Sequence, residues 1–406
     1  MLLYWIWFAQ LANISNREKQ LLLERYSDPQ YIYGLDEKIL TGDNLPQNVI
    51  TALADKDLSQ AEKIVNVCRR KDIGILCLRD SNYPRCLRNI ADPPMVLYYK
   101  GTIPDFDAQP VVAVVGTRKA TAYGMSAARK IANEMALGGA LVVSGCAAGI
   151  DKAAMEGAID ANKPVVGVLG CGIDVIYPKT NRRLYMRTEE IGCLFSEYPP
   201  GTRPYRWNFP QRNRIISGLS NGVVVAEAPV KSGALITAEC ALEQGRDVFV
   251  IPGNIGVAAC AGSNALLREG ATVVCSGWDV LQEYELRYPH IVGKPENQEE
   301  TEGKVAQSPV IPENIQTQGN KKSIDNPAAT SYSKASETDL PPEEKTIFDH
   351  LGTTPILVDD LIAETGIPTA KVLTALTMLT MRGLIVNHPG RRVSRKRNSM
   401  SGGNGA

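Results

Sequence analysis

The sequence predicts an α/β protein: a Rossmann-like, doubly wound parallel sheet with a small N-terminal helical domain and a C-terminal winged-helix domain. Three observations lead to this fold class. Between residues 108 and 289, short runs rich in Val and Ile alternate with amphipathic stretches of helical length, as in βαβ units. Residues 1–107 repeat apolar side chains at helical spacing, and residues 339–394 are typical of three short helices followed by a strand.

Length and composition agree with several folded domains. A chain of 406 residues suggests about two or three domains, and 44% hydrophobic residues suffice for at least one sizeable core. Lys+Arg and Asp+Glu both number 44, so the net charge is zero. Residues 290–344 carry ten acidic and five basic side chains, whereas residues 382–406 carry six basic and no acidic ones. The overall charge therefore neither favours nor excludes a nucleic-acid partner.

The N-terminal domain, residues 1–107, is predicted to be helical with an extended exit. Residues 1–9 are apolar and aromatic, but they lack the basic segment and cleavage site of a signal peptide and are too short to span a bilayer. We therefore predict a core-facing helix there. Ala61, Ile64 and Cys68 recur at helical spacing, and residues 96–99 are predicted to be extended.

The α/β domain, residues 108–289, contains seven predicted strands. They cover residues 111–115, 140–144, 165–169, 193–197, 223–226 and 248–251, with a weaker one at 272–275. Helices are predicted between most of them, for example at residues 123–137, 151–161 and 234–244. Strands that alternate with helices indicate a parallel sheet covered on both faces.

The composition changes after residue 289. Residues 290–338 contain Gln, Asn, Ser, Pro and Glu in place of periodic apolar residues, which predicts a disordered linker. Helices are predicted at residues 341–351, 358–365 and 369–382, followed by a strand at 383–386. We assign residues 339–394 to the winged-helix domain and residues 395–406 to a basic, flexible tail.

Cysteine and histidine usage excludes several kinds of site. The nine cysteines form no Cys-x-x-Cys pair, so we expect reduced thiols in a cytoplasmic protein and no metal site. His290, His350 and His388 all lie outside the α/β domain, which excludes a Ser–His–Asp triad and a His general base from that domain. Three carboxylates there remain possible acids or bases: Glu197, Glu227 and Glu239.

Loops that follow the strands contain the candidate ligand-binding residues. In a doubly wound sheet, ligands bind beyond the carboxyl ends of the strands, at the switch point. Gly116, Arg118 and Lys119 follow the first strand just before a helix, which predicts a phosphate site. An ammonium group, a helix start and a hydroxyl follow the fifth strand: Lys231, Ser232, Gly233 and Thr237. Neither segment is a dinucleotide fingerprint or a Walker A sequence, so no cofactor is expected.

The segment after the fourth strand combines four arginines with three aromatic residues. They are Arg203, Tyr205, Arg206, Trp207, Phe209, Arg212 and Arg214. Guanidinium groups pair with phosphates and aromatic rings stack on bases, so this composition suits a single strand of nucleic acid. The alternative is a helix start packed by the aromatics, with Arg212 and Arg214 paired to carboxylates. The residues alone leave both interpretations open.

Taken in order, these segments resemble the DNA-processing protein DprA (Smf) family. The resemblance runs through nearly the whole α/β domain, and the ordered set of motifs is far more specific than any single one. The motifs are Val115-Gly116-Thr117-Arg118 with Tyr123-Gly124, Ser144-Gly145 with Gly149-Ile150-Asp151, Gly170-Cys171-Gly172 with Tyr177-Pro178, Glu197-Tyr198-Pro199-Pro200-Gly201, Phe209-Pro210 with Arg212-Asn213-Arg214-Ile215-Ile216-Ser217-Gly218, Lys231-Ser232-Gly233 with Thr237, and Pro252-Gly253.

The resemblance implies a DNA-binding protein that is not an enzyme. Members of this family bind single-stranded DNA during natural transformation, shield it from nucleases and help load the RecA recombinase. They dimerise through the Rossmann-like domain, and the N-terminal region here resembles their SAM-like or helix-hairpin-helix domain. Carried over by motif, Arg118 and Lys231 would contact phosphates. The other predicted nucleic-acid-binding residues would shape or line the same pocket: Gly116, Lys119, Arg212, Asn213, Arg214, Ser232, Gly233 and Thr237.

The chain departs from the family pattern at two places. Met155 stands where the family commonly has His, and the sequence Asn-Ile-Ser-Asn at residues 13–16 stands where a Gly-Ile-Gly hairpin is usual. A His at the first of these places could form a hydrogen bond that Met155 cannot form. The second departure argues against DNA binding by the N-terminal domain.

Two other functions remain possible. A nucleotide phosphoribohydrolase of the lysine-decarboxylase-like (LOG) Rossmann group would share the fold. That group is recognised by Pro-Gly-Gly-x-Gly-Thr-x-x-Glu, whereas this chain has Lys231 in place of the Pro and lacks the second glycine pair. A regulator that binds double-stranded DNA through the winged helix is less favoured, because residues 369–382 contain few base-reading side chains.

Overall fold

The computed structural model describes residues 1–43, 45–289, 340–382, 384–388 and 392–396. The chain divides into two compact units, residues 1–304 and residues 305–406. The predicted linker, residues 290–338, lies outside the described residues, as does the predicted tail apart from residues 395 and 396.

Six helices form the N-terminal part of the first unit. They are α1 (Leu2–Gln10), α2 (Asn16–Tyr26), α3 (Pro29–Tyr33), α4 (Glu37–Gly42), α5 (Gln47–Ala54) and α6 (Ser59–Arg70). Helix α1 buries Trp5, Trp7 and Phe8, as its apolar composition predicts. Helix α2 begins with a capping box, in which Ser15 accepts from the amide of Glu18 and the Glu18 carboxylate accepts from the amide of Ser15. The predicted helical character of this region is confirmed.

A nine-stranded sheet forms the rest of the first unit. Its strands are β1 (Gly74–Cys77), β2 (Val96–Gly101), β3 (Val111–Val115), β4 (Leu141–Ser144), β5 (Val165–Leu169), β6 (Cys193–Ser196), β7 (Gly222–Val225), β8 (Asp247–Val250) and β9 (Thr272–Val273). The order across the sheet is β1-β2-β6-β5-β4-β3-β7-β8-β9, and strands β3 to β9 pair in parallel. Strands β3 to β7 are buried along their whole length, as the central strands of a covered parallel sheet should be.

Eight helices accompany these strands. They are α7 (Arg85–Arg88), α8 (Ala122–Leu137), α9 (Ile150–Asp160), α10 (Arg182–Ile191), α11 (Asn208–Leu219), α12 (Gly233–Glu243), α13 (Ala261–Arg268) and α14 (Gly277–Leu281). Helix α8 packs against α9 and α14, whereas α11 packs against α12. The chain moves across the sheet in opposite directions before and after β6, so right-handed crossovers put these two groups of helices on opposite faces. The doubly wound prediction is confirmed.

The predicted strands are all present, but the sheet also contains two strands that the sequence analysis does not identify as such. Each of the seven predicted strands starts within one residue of its expected position. The predicted extended segment at residues 96–99 is part of β2, which pairs antiparallel with β6, and β1 then pairs antiparallel with β2. Strand β2 covers the edge of β6, which would otherwise expose unpaired backbone groups. The sheet therefore begins at residue 74, inside the segment assigned to the N-terminal domain.

The second unit has the elements of a winged helix. They are α15 (Pro342–His350), β10 (Ile356–Leu357), α16 (Val358–Thr365), α17 (Thr369–Met381), β11 (Ile385–His388) and β12 (Arg392–Arg395). The strands form an antiparallel sheet in the order β10-β12-β11, and the core includes Ile347, Leu361, Val372 and Leu379. The three predicted helices and the predicted strand are present, while residues 389–391 lie outside the described residues.

Other features of the chain concern thiols, metals and membranes. All nine cysteines are free thiols, and eight of them are buried or half-buried. Within the described ranges, no cluster of three or more His, Cys, Asp or Glu side chains is arranged to hold a metal ion. The same ranges contain no helix that is long and apolar enough to cross a membrane.

Candidate nucleic-acid interface

A crevice opens at the switch point of the sheet. Strand β3 lies between β4 and β7, and the chain leaves the carboxyl ends of β3 and β7 toward opposite faces of the sheet. The cavity between the two loops has a volume of about 570 Å³. The predicted site residues that line it are Gly116, Arg118, Arg212, Asn213, Lys231, Ser232, Gly233 and Thr237. The structure therefore brings together eight of the ten residues predicted from the sequence.

The loop after β3 is held by a buried glutamate, Glu227, that lies just after the neighbouring strand β7. The backbone carbonyl of Glu227 accepts from the amide of Thr117 at 2.7 Å. The Glu227 carboxylate accepts from the amide of Thr121 at 2.9 Å and from its hydroxyl at 2.5 Å, at the start of α8. A Cβ on Gly116 would lie 2.8 Å from the Glu227 carbonyl oxygen, so only glycine allows this close approach. Glu227 therefore has a structural role: it holds the loop that carries Gly116 and Arg118.

Arg118 is exposed at the mouth of the crevice. Its guanidinium carbon lies 4.8 Å from the ring centroid of Phe209, which in turn lies 5.5 Å from the ring of Tyr177. Stacking uses the flat face of a guanidinium group and leaves its N–H donors at the edge free for an anion. The rings of Phe209 and Tyr177, which we call the aromatic floor, thus hold Arg118 in place without using its hydrogen-bonding capacity.

The opposite wall is the start of helix α12. Ser232 caps the helix by accepting from the amide of Ala234 at 3.3 Å, and Thr237 is buried one turn further on. The Asn213 side-chain amide donates to the carbonyl of Gly233 at 2.9 Å and so ties α12 to α11. Lys231 is exposed just before this cap. A helix N-terminus beside an ammonium group is an anion-binding arrangement.

Arg212 lies at the bottom of the crevice and is only 4% exposed. Its Nη1 donates to the carbonyl of Gly145 at 2.9 Å and to the carbonyl of Val168, so it joins the loop after β4 to the end of strand β5. Burial raises the pKa of the neighbouring Asp151 despite the opposing effect of Arg212, and burial also lowers the pKa of Arg212. Arg212 therefore organises the crevice floor from within.

Arg214 and Lys119 are the two predicted residues that do not line the crevice. Arg214 donates to Asp92 at 2.8 Å and to Glu197 at 2.7 Å, and Glu197 also accepts from the side chain of Asn16 at 3.0 Å. The ion-pair alternative is thus the observed one for Arg214. Lys119 is exposed, next to Arg118 but outside the lining.

Two of the lining residues that the site prediction does not include have side chains suited to nucleic acid. Arg206 lies at the mouth, and Tyr177 forms part of the aromatic floor. Tyr177 follows β5, whose carboxyl end lies at the same edge as those of β3 and β7, and this position is the signal that could have identified it. Among the carboxylates considered as acids or bases, Glu239 is exposed on α12 and does not line the crevice.

Met155, at the position where the resemblance implies a His, does not line the crevice. It is completely buried on α9, and its sulfur lies 3.6 Å from the Sγ atom of Cys146. Cys146 has a positive φ of 55° and is held in the loop by Asn181, whose side chain donates to its carbonyl at 2.9 Å. Met155 thus packs beneath the loop after β4.

Two family models match this chain. The model described as DNA recombination-mediator protein A matches residues 74–285, and the model described as DprA winged helix domain matches residues 331–391. The first begins at β1 and ends just beyond α14, so it covers the whole sheet. The second covers the elements of the winged helix up to β11.

Curated relatives and a solved structure agree with the family models. Protein Smf of Synechocystis is 36% identical over 337 residues, which cover 81% of this chain and 81% of that protein. DNA processing protein DprA of Streptococcus pneumoniae is 45% identical over 210 residues, which cover 51% of this chain and 72% of that protein. The X-ray structure of the Streptococcus pneumoniae protein superposes with a TM-score of 0.62 at 35% identity, covering 70% of this chain and 98% of that one. The chain therefore belongs to the DNA recombination-mediator protein A family, that is, the DprA (Smf) family.

Proposed function

We propose that the crevice binds the sugar–phosphate backbone of single-stranded DNA. The observation that carries this proposal is the convergence of two free cationic side chains on one helix start. Arg118 and Lys231 come from the loops after adjacent strands, and both line a cavity closed by the N-terminus of α12. Phosphate is the anion that such an arrangement suits in a DNA-processing family.

The size of the crevice favours a single strand over a duplex. A volume of about 570 Å³ is in the range of pockets for small ligands, so it can hold part of one strand. Duplex DNA is much wider, since its major groove alone measures about 12 Å across. A duplex could reach exposed side chains such as Arg118 and Lys231, but its width keeps it out of the cavity.

We further propose that the bound strand is incoming DNA during natural transformation, which the protein shields from nucleases and passes to the RecA recombinase. The description of the family as a recombination mediator supports this role. The protein would act in the cytoplasm as a homodimer formed through the Rossmann-like domain. It would act by binding alone, with no catalytic residue and no metal or cofactor.

The test is a titration of full-length protein with oligo-dT at several salt concentrations, with a duplex of the same length as comparison. We expect tighter binding of the single strand and a steep loss of affinity with salt, at about 0.7 log units per log unit of salt for each phosphate contact. Arg118→Ala and Lys231→Ala should each weaken binding about tenfold and reduce the salt slope by about one contact. Lys119→Ala is the matched control, because it removes an exposed cation that does not line the crevice.

Two results would contradict the proposal. Equal affinity for single and double strands would contradict the preference for a single strand. Unchanged binding by both Arg118→Ala and Lys231→Ala would show that the crevice is not the binding site. Release of free base from AMP by the wild-type protein would favour the phosphoribohydrolase alternative instead.

A further inference from the structure

Two aromatic rings stack on each other in the segment between the crevice-lining residues Pro204 and Phe209. Tyr205 and Trp207 have ring centroids 4.7 Å apart and planes only 6° from parallel. Both rings are open to solvent, since Tyr205 is 43% and Trp207 is 63% exposed. An exposed face of this kind has the geometry on which a planar base can stack.

The loop that carries these rings is held in place at its start. The amide of Gly201 donates to the Asp174 carboxylate at 2.7 Å, and Lys71 pairs with the same carboxylate at 2.5 Å. The amide of Gly172 donates to the carbonyl of Thr202 at 2.9 Å. At the other end, Asn208 is buried and its side chain donates to the carbonyl of Gly170 at 3.1 Å. The rings are therefore presented by a pre-ordered segment, which lowers the entropic cost of binding.

The stacked rings are adjacent to the crevice along the chain. Pro204, Arg206 and Phe209 all line the crevice, and Trp207 lies between the last two. Two residues span at most about 7 Å along the backbone, so the Cα atom of Trp207 lies within this distance of the Cα atom of Phe209, the residue that supports Arg118. One strand of stacked DNA advances about 3.4 Å per phosphate. If a phosphate of the strand is held at the crevice, the base about two nucleotides further along the strand would therefore reach Trp207.

We propose that the Tyr205–Trp207 pair is a base-stacking platform that receives an unpaired base of the strand whose phosphates occupy the crevice. This inference rests on the proposed function and adds to it a requirement for bases as well as phosphates. Arg203 and Arg206 are exposed on either side of Tyr205, so the platform is flanked by cations. That charge favours a nucleic acid over an apolar protein segment as the occupant.

The test compares oligo-dT with an abasic strand of the same length, which has the same phosphates but no bases. The wild-type protein should bind the abasic strand about 5- to 100-fold more weakly, the range expected for loss of base–aromatic stacking. Trp207→Ala should lower affinity for oligo-dT and leave affinity for the abasic strand unchanged. Trp207→Phe should restore most of the difference, because phenylalanine can still stack.

Two control variants separate this proposal from the proposed function. Arg118→Ala should weaken binding of both strands by the same factor. Tyr31→Ala should behave as wild type, because Tyr31 is a similarly exposed tyrosine, 61% exposed, on α3 and not among the lining residues.

Each other outcome has a defined meaning. If the wild-type protein binds neither strand, the proposed function fails. If it binds both strands equally well, or if Trp207→Ala weakens both strands equally, the platform alone is wrong. If Trp207→Ala changes neither affinity, the platform is also wrong and the exposed rings are better explained by a protein partner.

Discussion

Three arginines of this protein show how far the surroundings decide what one residue type does. Arg118 is exposed over an aromatic ring and keeps its N–H donors free. Arg212 is buried and donates to backbone carbonyls. Arg214 is held between two carboxylates, which raise its pKa although burial acts in the opposite direction. Only the first has the environment of a phosphate ligand.

We expect Arg214→Gln to lower stability without changing the electrostatics of DNA binding. The substitution leaves Glu197 without its cation in a largely buried position, so the free energy of unfolding should fall by about 3 kcal/mol. Denaturant unfolding measures this loss. The salt slope of oligo-dT binding should equal that of the wild type, because Arg214 does not line the crevice. A smaller salt slope at unchanged stability would instead show a direct phosphate contact.

At the scale of elements, helix α11 connects the crevice to the helical N-terminal part. Arg212 and Asn213 face the crevice, whereas Arg214 contacts Glu197, which also binds Asn16 at the start of α2. Lys19 on α2 is 3% exposed, donates to the carbonyl of Ala9 at 2.8 Å and is attracted by Glu197 and Asp92. A small group of buried and half-buried charges therefore joins α2 to α11.

The charge on Lys19 should make stability depend on pH. Burial lowers the pKa of Lys19 to about 8, against 10.5 when exposed, although Glu197 and Asp92 oppose the shift. Between these values the unfolded chain binds a proton that the folded protein has released, so the free energy of unfolding rises with pH. The free energy of unfolding of the wild type, measured relative to that of Lys19→Met, should therefore rise by up to about 1.4 kcal/mol per pH unit from pH 8 to 10.5. Parallel stability curves for the two proteins would show that Lys19 does not titrate in this window.

At the scale of the whole molecule, the crevice belongs to the first unit alone. Every residue that lines it lies between Val115 and Thr237, and the recombination-mediator family model covers residues 74–285. The winged helix has a hydrophobic core of its own in the second unit. Binding of single-stranded DNA by the crevice should therefore not require the second unit.

A chain that ends at residue 304 should bind oligo-dT with nearly the affinity and salt slope of the full-length protein. We expect a difference of less than about threefold, since all of the proposed phosphate contacts remain. The same titration measures it, and a melting curve confirms that the shorter chain is folded. A loss of tenfold or more from a folded fragment would place a major DNA contact in the second unit.

Much of the fold could be predicted because it depends on local patterns. Runs such as Val111–Val115 have the composition of buried strands, and the loops after them could be placed at one sheet edge by topology alone. Strand β1 could not be predicted in the same way. Its pairing with β2 joins segments that lie about twenty residues apart. Its strand character comes from this pairing more than from its own composition.

The sequence by itself determined the doubly wound sheet, the winged helix, the family and eight of the residues that line the crevice at the switch point. These follow from the period of apolar residues and from ordered motifs, which are properties of short segments. Tertiary structure alone decided that Arg214 pairs with Asp92 and Glu197, and that Tyr205 and Trp207 stack in the open. Asp92 lies 122 residues from Arg214. Contacts between distant segments decide which charged side chain forms an ion pair and which ring stays exposed. These contacts form only when the chain folds.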